Sequence, residues 1–169
     1  MRDKQGCKFD SENGIDDIEF MFSANLGEPL KPMSAVISGG EISRFMLAIK
    51  AQTAKYNEVS TFIFDEIDTG ISGFVAQVVA EKFAKIALDV QIIAITHLPQ
   101  ISAMADNNLL ILKSVDGQKT VTTVKNLDKE EKLAEISRLC GGTTLSDLSR
   151  AHAQELIDRA QGVKQKLKQ

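Results

Sequence analysis

Two adjacent carboxylates, Asp65 and Glu66, follow directly on the apolar run Thr61-Phe62-Ile63-Phe64. An acid pair at the end of a strand suits hydrolytic chemistry: one carboxylate supports a divalent cation while the other orients or deprotonates a water. Phe62, Ile63 and Phe64 predict a strand buried inside a covered sheet. Such a strand would deliver the acids to its carboxyl end, where open α/β sheets bind ligands. The plainer alternative is an apolar strand that happens to end in acidic residues.

Ser38-Gly39-Gly40-Glu41 forms a second group. Ser38 and Glu41 have the S-x-x-E spacing of a helix capping box. A cap does not account for two glycines in a first helical turn, where each weakens the helix by roughly 1 kcal/mol relative to alanine. Backbone without side chains at a positive helix end lets a phosphate approach bare N–H groups. Thr96-His97-Leu98-Pro99-Gln100 supplies a third group, in which His97 could donate a hydrogen bond to a phosphate while the carboxylates handle metal and water. His152 lies on a polar helix face and receives no function. Cys7 and Cys140 lack metal-ligand spacing and read as inert thiols of a reduced, cytoplasmic protein.

These groups need elements to position them. Residues 7–22 predict a hairpin about Asn13-Gly14, with Ile18, Phe20 and Phe22 alternating on one face. Gly27, Pro29 and Pro32 interrupt regular structure over 23–37. From Gly39 to about Tyr56, Ile42, Phe45, Met46, Ile49 and Thr53 recur at helical spacing and predict one buried stripe. A β-α-β unit follows: strand 61–65, helix 72–88 with Val75, Val78, Val79, Phe83 and Ile86 inward, and strand 91–95. Its right-handed crossover makes the strands parallel. If they pair directly, His97 opens beside the acidic loop, since neighbouring strands lie about 4.8 Å apart. A second hairpin is predicted over 108–125 about Asp116-Gly117, then helices over 128–139, capped by Gly141-Gly142, and 145–161. Lys164, Lys166 and Lys168 read as a solvated helix end.

The 169 residues suit a single domain, and no apolar run reaches the length of a membrane span. The polar opening MRDKQGCKFD is not a secretory signal. With 43% hydrophobic and 25% charged residues the composition is that of a soluble globular protein, and a net charge of −3 argues against broad attraction to nucleic acid by this segment.

In order, a helix opening on SGGE, an apolar run ending in Asp-Glu, an Asp68-x-Gly70 turn and a strand ending in Thr-His resemble the second half of an ABC-type ATPase head. Three longer strings, FDEIDTGISG from Phe64, THLPQISAMAD from Thr96 and LCGGTTLSDLSRAHAQELI from Leu139, resemble the RecN family of bacterial DNA-repair ATPases, relatives of the SMC proteins. The resemblance runs from about Cys7 to Ala160. It implies an α/β P-loop NTPase fold, a parallel sheet flanked by helices with peripheral β-hairpins. By the same resemblance Ser38, Gly39 and Gly40 form the signature that contacts the γ-phosphate of ATP on an opposing head. Asp65 becomes the Walker B carboxylate supporting Mg²⁺, Glu66 the base or water-positioning group, Asp68 part of the loop communicating between paired heads, and His97 the switch histidine. Implied partners are the N-terminal half of the same head, a second head in an ATP sandwich, and DNA; the implied location is the cytoplasm, at the nucleoid.

One departure limits this expectation. No glycine is followed by lysine, so the P-loop pattern G-x-x-x-x-G-K-[ST] is absent. The chain reads as the C-terminal portion of a head, lacking the P-loop strand and inactive towards ATP by itself, with the outer edge of strand 91–96 left without its neighbour. Two other readings stand beside it. A metal-dependent nuclease or phosphatase could use Asp65, Glu66 and Asp68, although Asp65 and Asp68 are three apart and not the two that D-x-D sites use. A non-catalytic assembly module would bind a partner head without activity of its own.

Overall fold

The computed structural model describes residues 18–23, 27–36, 38–53, 59–116, 119–142 and 146–169. They fall into two compact units divided after Ser38. In the first, β1 (Met21–Phe22) pairs antiparallel with β2 (Lys31–Pro32), and a single turn, α1 (Met33–Val36), follows. The turn expected at Asn13-Gly14 lies outside the described residues. The stretch expected to lack regular structure does contain β2 and α1. Pro32 fits because a two-residue edge pairing can spare its missing N–H.

The second unit holds the β-α-β unit at the predicted place: β3 (Thr61–Phe64), α3 (Gly73–Ile86) and β4 (Gln91–Ala94). The strands are parallel and directly paired, with Phe62 opposite Ile92 and Phe64 opposite Ala94. Before them runs α2 (Gly39–Thr53). After them come α4 (Pro99–Met104), the hairpin β5 (Leu109–Asp116) and β6 (Lys119–Asn126), α5 (Lys129–Gly141) and α6 (Asp147–Leu167). This is an α/β fold, and the hairpin forms a separate antiparallel sheet.

The core lies under one face of the parallel pair. Phe62 and Phe64 are buried there with Leu47, Val79, Ala80, Phe83, Ile101 and Met104. The rings of Phe64 and Phe83 stand 5.1 Å apart, a favourable aromatic separation. Ile136, Ala153, Leu156 and Ala160 continue this core into the α5–α6 pair. Both of those helices begin with a complete capping box, Asp128 with Glu131 and Ser146 with Ser149. Gly142, at φ 72°, ends α5 in a conformation that a side chain would strain.

Three burial expectations are corrected. Ile63, expected inside the sheet, is 70% exposed, and Ile93 and Ile95 on the same face are 45% and 52% exposed; the sheet is covered on one side only. On α2 the expected stripe of Ile42, Met46 and Ile49 is exposed, while Gly40 and Leu47 are buried. The seated face runs through Gly40, Arg44, Leu47 and Ala51, which share the i, i+4, i+7, i+11 spacing but lie two residues out of phase with the more apolar stripe. On α3, Val79, Phe83 and Ile86 are inward as expected, but Val75 and Val78 are exposed, while Ala76 and Ala80 are fully buried in their place.

Among the described residues β4 pairs only with β3. Lys164 is not merely solvated: its ammonium reaches Asp106 at 2.7 Å and holds that carboxyl below its usual range. His152 does have a neighbour, Glu155 at 3.8 Å. Cys140 is half-buried and burial raises its thiol pKa, which suits an inert thiol. No helix among the described residues is long and apolar enough to cross a membrane.

Candidate functional site

The loop from Asp65 to Gly70 leaves β3 and turns back on itself, with Thr69 N–H donating to the Glu66 carbonyl at 3.2 Å. Glu66 takes φ 56°, the one left-handed non-glycine residue among those described. A residue held in that region marks strain that the surroundings must maintain, and such strain gathers at functional sites. Its N–H donates to Oδ1 of Asp65 at 2.9 Å, so the first acid locks the backbone of the second. Both acids are exposed at the strand end.

Helix α2 grips one side of this loop. Ser43 Oγ donates to the Asp65 carbonyl at 3.3 Å, and Nη1 of Arg44 donates to the carbonyls of Ile67 at 3.2 Å and Thr69 at 2.8 Å. The glycines permit that approach. A Cβ on Gly39 would sit 3.2 Å from Oε2 of Glu66, and one on Gly40 would sit 2.9 Å from the Thr69 carbonyl oxygen. The paired glycines therefore have a packing reason that the sequence did not reveal, independent of any phosphate. It also brings the Glu66 carboxylate to the first turn of α2, where the helix dipole favours negative charge.

The strand-end loop after β4 grips the other side. Asp68 is 3% exposed, and its Oδ2 accepts from Thr96 Oγ1 at 2.6 Å and from the His97 N–H at 2.8 Å, with Nδ1 of His97 at 3.0 Å. Thr96 Oγ1 accepts in turn from the Leu98 N–H at 3.0 Å. The His97 ring is thus tied to Asp68, where the sequence reading aimed it at Asp65 and Glu66. Ser43 and Arg44 were missed altogether, and Thr96 was named within the Thr-His group without a role. A signal for Thr96 existed: direct parallel register sets the residues after Phe64 beside those after Ala94.

A magnesium ion fits the exposed Asp65 carboxylate, because that ion keeps several waters and needs only one or two protein carboxylates. Among the described residues no group of three or more His, Cys, Asp or Glu side chains could hold a metal ion. The three-acid site of the nuclease reading therefore does not assemble, since Asp68 turns inward to Thr96 and His97.

A parallel β-α-β unit with an acid pair at its first strand end, clasped between a helix opening on SGGE and a Thr-His loop, defines the class: an α/β protein, in the arrangement that the resemblance to an ABC-type ATPase head implied. Sequence comparison narrows it. The chain is 51% identical over 154 residues to DNA repair protein RecN of Bacillus subtilis (strain 168), covering 91% of this chain and 27% of that one. Against RecN of Halalkalibacterium halodurans identity is 48% over 160 residues, 95% of this chain and 28% of the relative. RecN of Treponema pallidum matches at 44% over 144 residues, 85% and 25% respectively. The chain belongs to the RecN family of DNA repair proteins, and it spans little more than a quarter of the length of these relatives. No family model matches it. Among solved structures, a chain from work on ATP-driven dimerization and DNA-stimulated activation of SMC ATPases superposes with a TM-score of 0.47 at 24% identity, over 70% of each chain.

Proposed function

We propose that this chain supplies the signature, Walker B and switch-histidine part of a RecN-type ATPase head that works in recombinational repair of DNA double-strand breaks. The observation that carries the reading is the clasp on residues 65–70: residues 22 to 29 positions away in sequence meet it by hydrogen bonds and close packing, as a shared site requires. Family membership supports the repair context, since the relatives are named DNA repair proteins.

In this reading Asp65 holds a water of a magnesium ion, and the exposed carboxylate of Glu66 orients the attacking water and accepts its proton. Bound magnesium supplies charge neutralisation on the phosphates of ATP. His97 donates towards the γ-phosphate. Ser38, Gly39 and Gly40 offer backbone N–H groups to ATP carried by a second head, so hydrolysis is coupled to head pairing and, through it, to DNA. The phosphate-cradling loop comes from sequence outside this chain, which contains no Gly-Lys pair. Its complement docks on the bare face of the β3–β4 pair and on the exposed stripe of Ile42, Met46 and Ile49. Between α2 and β3 a groove of about 320 Å³ lined by Ile42, Met46, Lys50 and Ile63 continues that apolar surface. The protein acts in the cytoplasm, at the nucleoid.

Mixing the chain with the matching N-terminal half and measuring ATP turnover, with and without DNA, tests the proposal. The expected result is turnover that neither half shows alone, abolished by Glu66→Gln with ATP binding retained. Turnover no greater than the sum of the separate halves would sink it.

A further inference from the structure

We propose that Asp68 is a positioning residue for His97, fixing which ring nitrogen carries the proton, and not itself a nucleotide contact. The importance of His97 rests on the function proposed above; the arrangement of the two side chains does not. Asp68 is nine-tenths and more buried, and a single carboxylate oxygen accepts from the Thr96 hydroxyl and the His97 N–H and lies 3.0 Å from Nδ1 of the His97 ring. A carboxylate oxygen and an unprotonated ring nitrogen would repel at the 3.0 Å that separates Oδ2 from Nδ1, so the contact favours a proton on Nδ1. Which nitrogen of a histidine is protonated is set by the hydrogen bond the other makes.

The consequence concerns Nε2. The His97 side chain is 71% exposed, so the ring is held by one nitrogen while most of it faces outward. In the neutral ring Nε2 is then an acceptor and cannot donate to a phosphate oxygen. Donation from Nε2 requires a second proton, giving an imidazolium whose charge faces the buried Asp68 carboxylate. The same carboxylate also fixes the His97 backbone through its N–H, at 2.8 Å, so ring orientation and main-chain position share one anchor. Thr96 completes the anchor: its hydroxyl donates to Asp68 and accepts from Leu98, which orders the backbone on both sides of His97.

The test is ¹⁵N NMR of the histidine-labelled chain in a His152→Gln background, at a pH where the His97 ring is neutral and without nucleotide. Long-range couplings are expected to show the proton on Nδ1 in the parent. Asp68→Asn is expected to keep it there, because an amide oxygen can take the place of Oδ2. Asp68→Ala is expected to move it to Nε2. A parent spectrum with the proton on Nε2, or an unchanged tautomer in a folded Asp68→Ala chain, overturns the proposal. If Asp68→Ala does not fold, the parent and Asp68→Asn spectra decide it. No nucleotide enters the measurement, so its failure is separate from a failure of the ATPase reading, which would appear as absent turnover in the mixed halves.

Discussion

The two faces of the β3–β4 pair are built from equally apolar side chains and have opposite surroundings. Beneath, Phe62 and Phe64 pack on Phe83, Val79 and Leu47; above, Ile63, Ile93 and Ile95 stand open beside the exposed stripe of α2. Apolar pattern records which surfaces must be covered. It does not record which stretch of chain covers them, and contiguous exposed apolar surface marks an interaction site. On the function proposed above, the bare face is where a phosphate-cradling half would seat.

The sharpest way to break this comparison is Phe64→Ala. On the covered face it should cost about 3–5 kcal/mol, the range for removing a buried aromatic side chain; a denaturation midpoint close to the parent's would show that face to be no true core. Next is Gly40→Ala, on the seated side of α2. Its Cβ would meet the Thr69 carbonyl oxygen at 2.9 Å, so the helix must shift, at about 1–3 kcal/mol as for an overpacked contact. The same substitution should depress turnover of the complete head through the displaced 65–70 loop, which urea melts and turnover measured together would register. Smallest in the chain alone is Ile63→Ser, expected within about 0.5 kcal/mol of the parent because the side chain is exposed. When the N-terminal half is added, the order should change: Ile63→Ser is expected to weaken its binding several-fold by titration, and unaltered affinity would remove the bare face from the docking surface.

Much of the fold was legible because local rules and long-range packing agree there. The β-α-β unit, the β5–β6 hairpin and the two C-terminal helices carry periodicity, turn and cap signals that point one way. The burial of α2 was misread because its more apolar stripe faces outward, and the seated stripe contains glycine and arginine, neither of which periodicity counts as core. The candidate residues were legible by type, since acids, paired glycines and histidine announce their chemistry. Their partners were not: Arg44 bonds to backbone carbonyls, which have no sequence signature, and the Asp68–His97 contact needs the strand register before it can be seen.

The clasp on residues 65–70 also bears on how this segment can change over generations. Arg44 holds the carbonyls on either side of Asp68, and Asp68 holds Thr96 and His97. Replacements at these places share a backbone and so are not independent in their effects. A change tolerated at Arg44 alone is expected to cost more in a chain that also lacks the Thr96 hydroxyl. Arg44, Asp68 and Thr96 are thus expected to respond to substitution as one coupled unit.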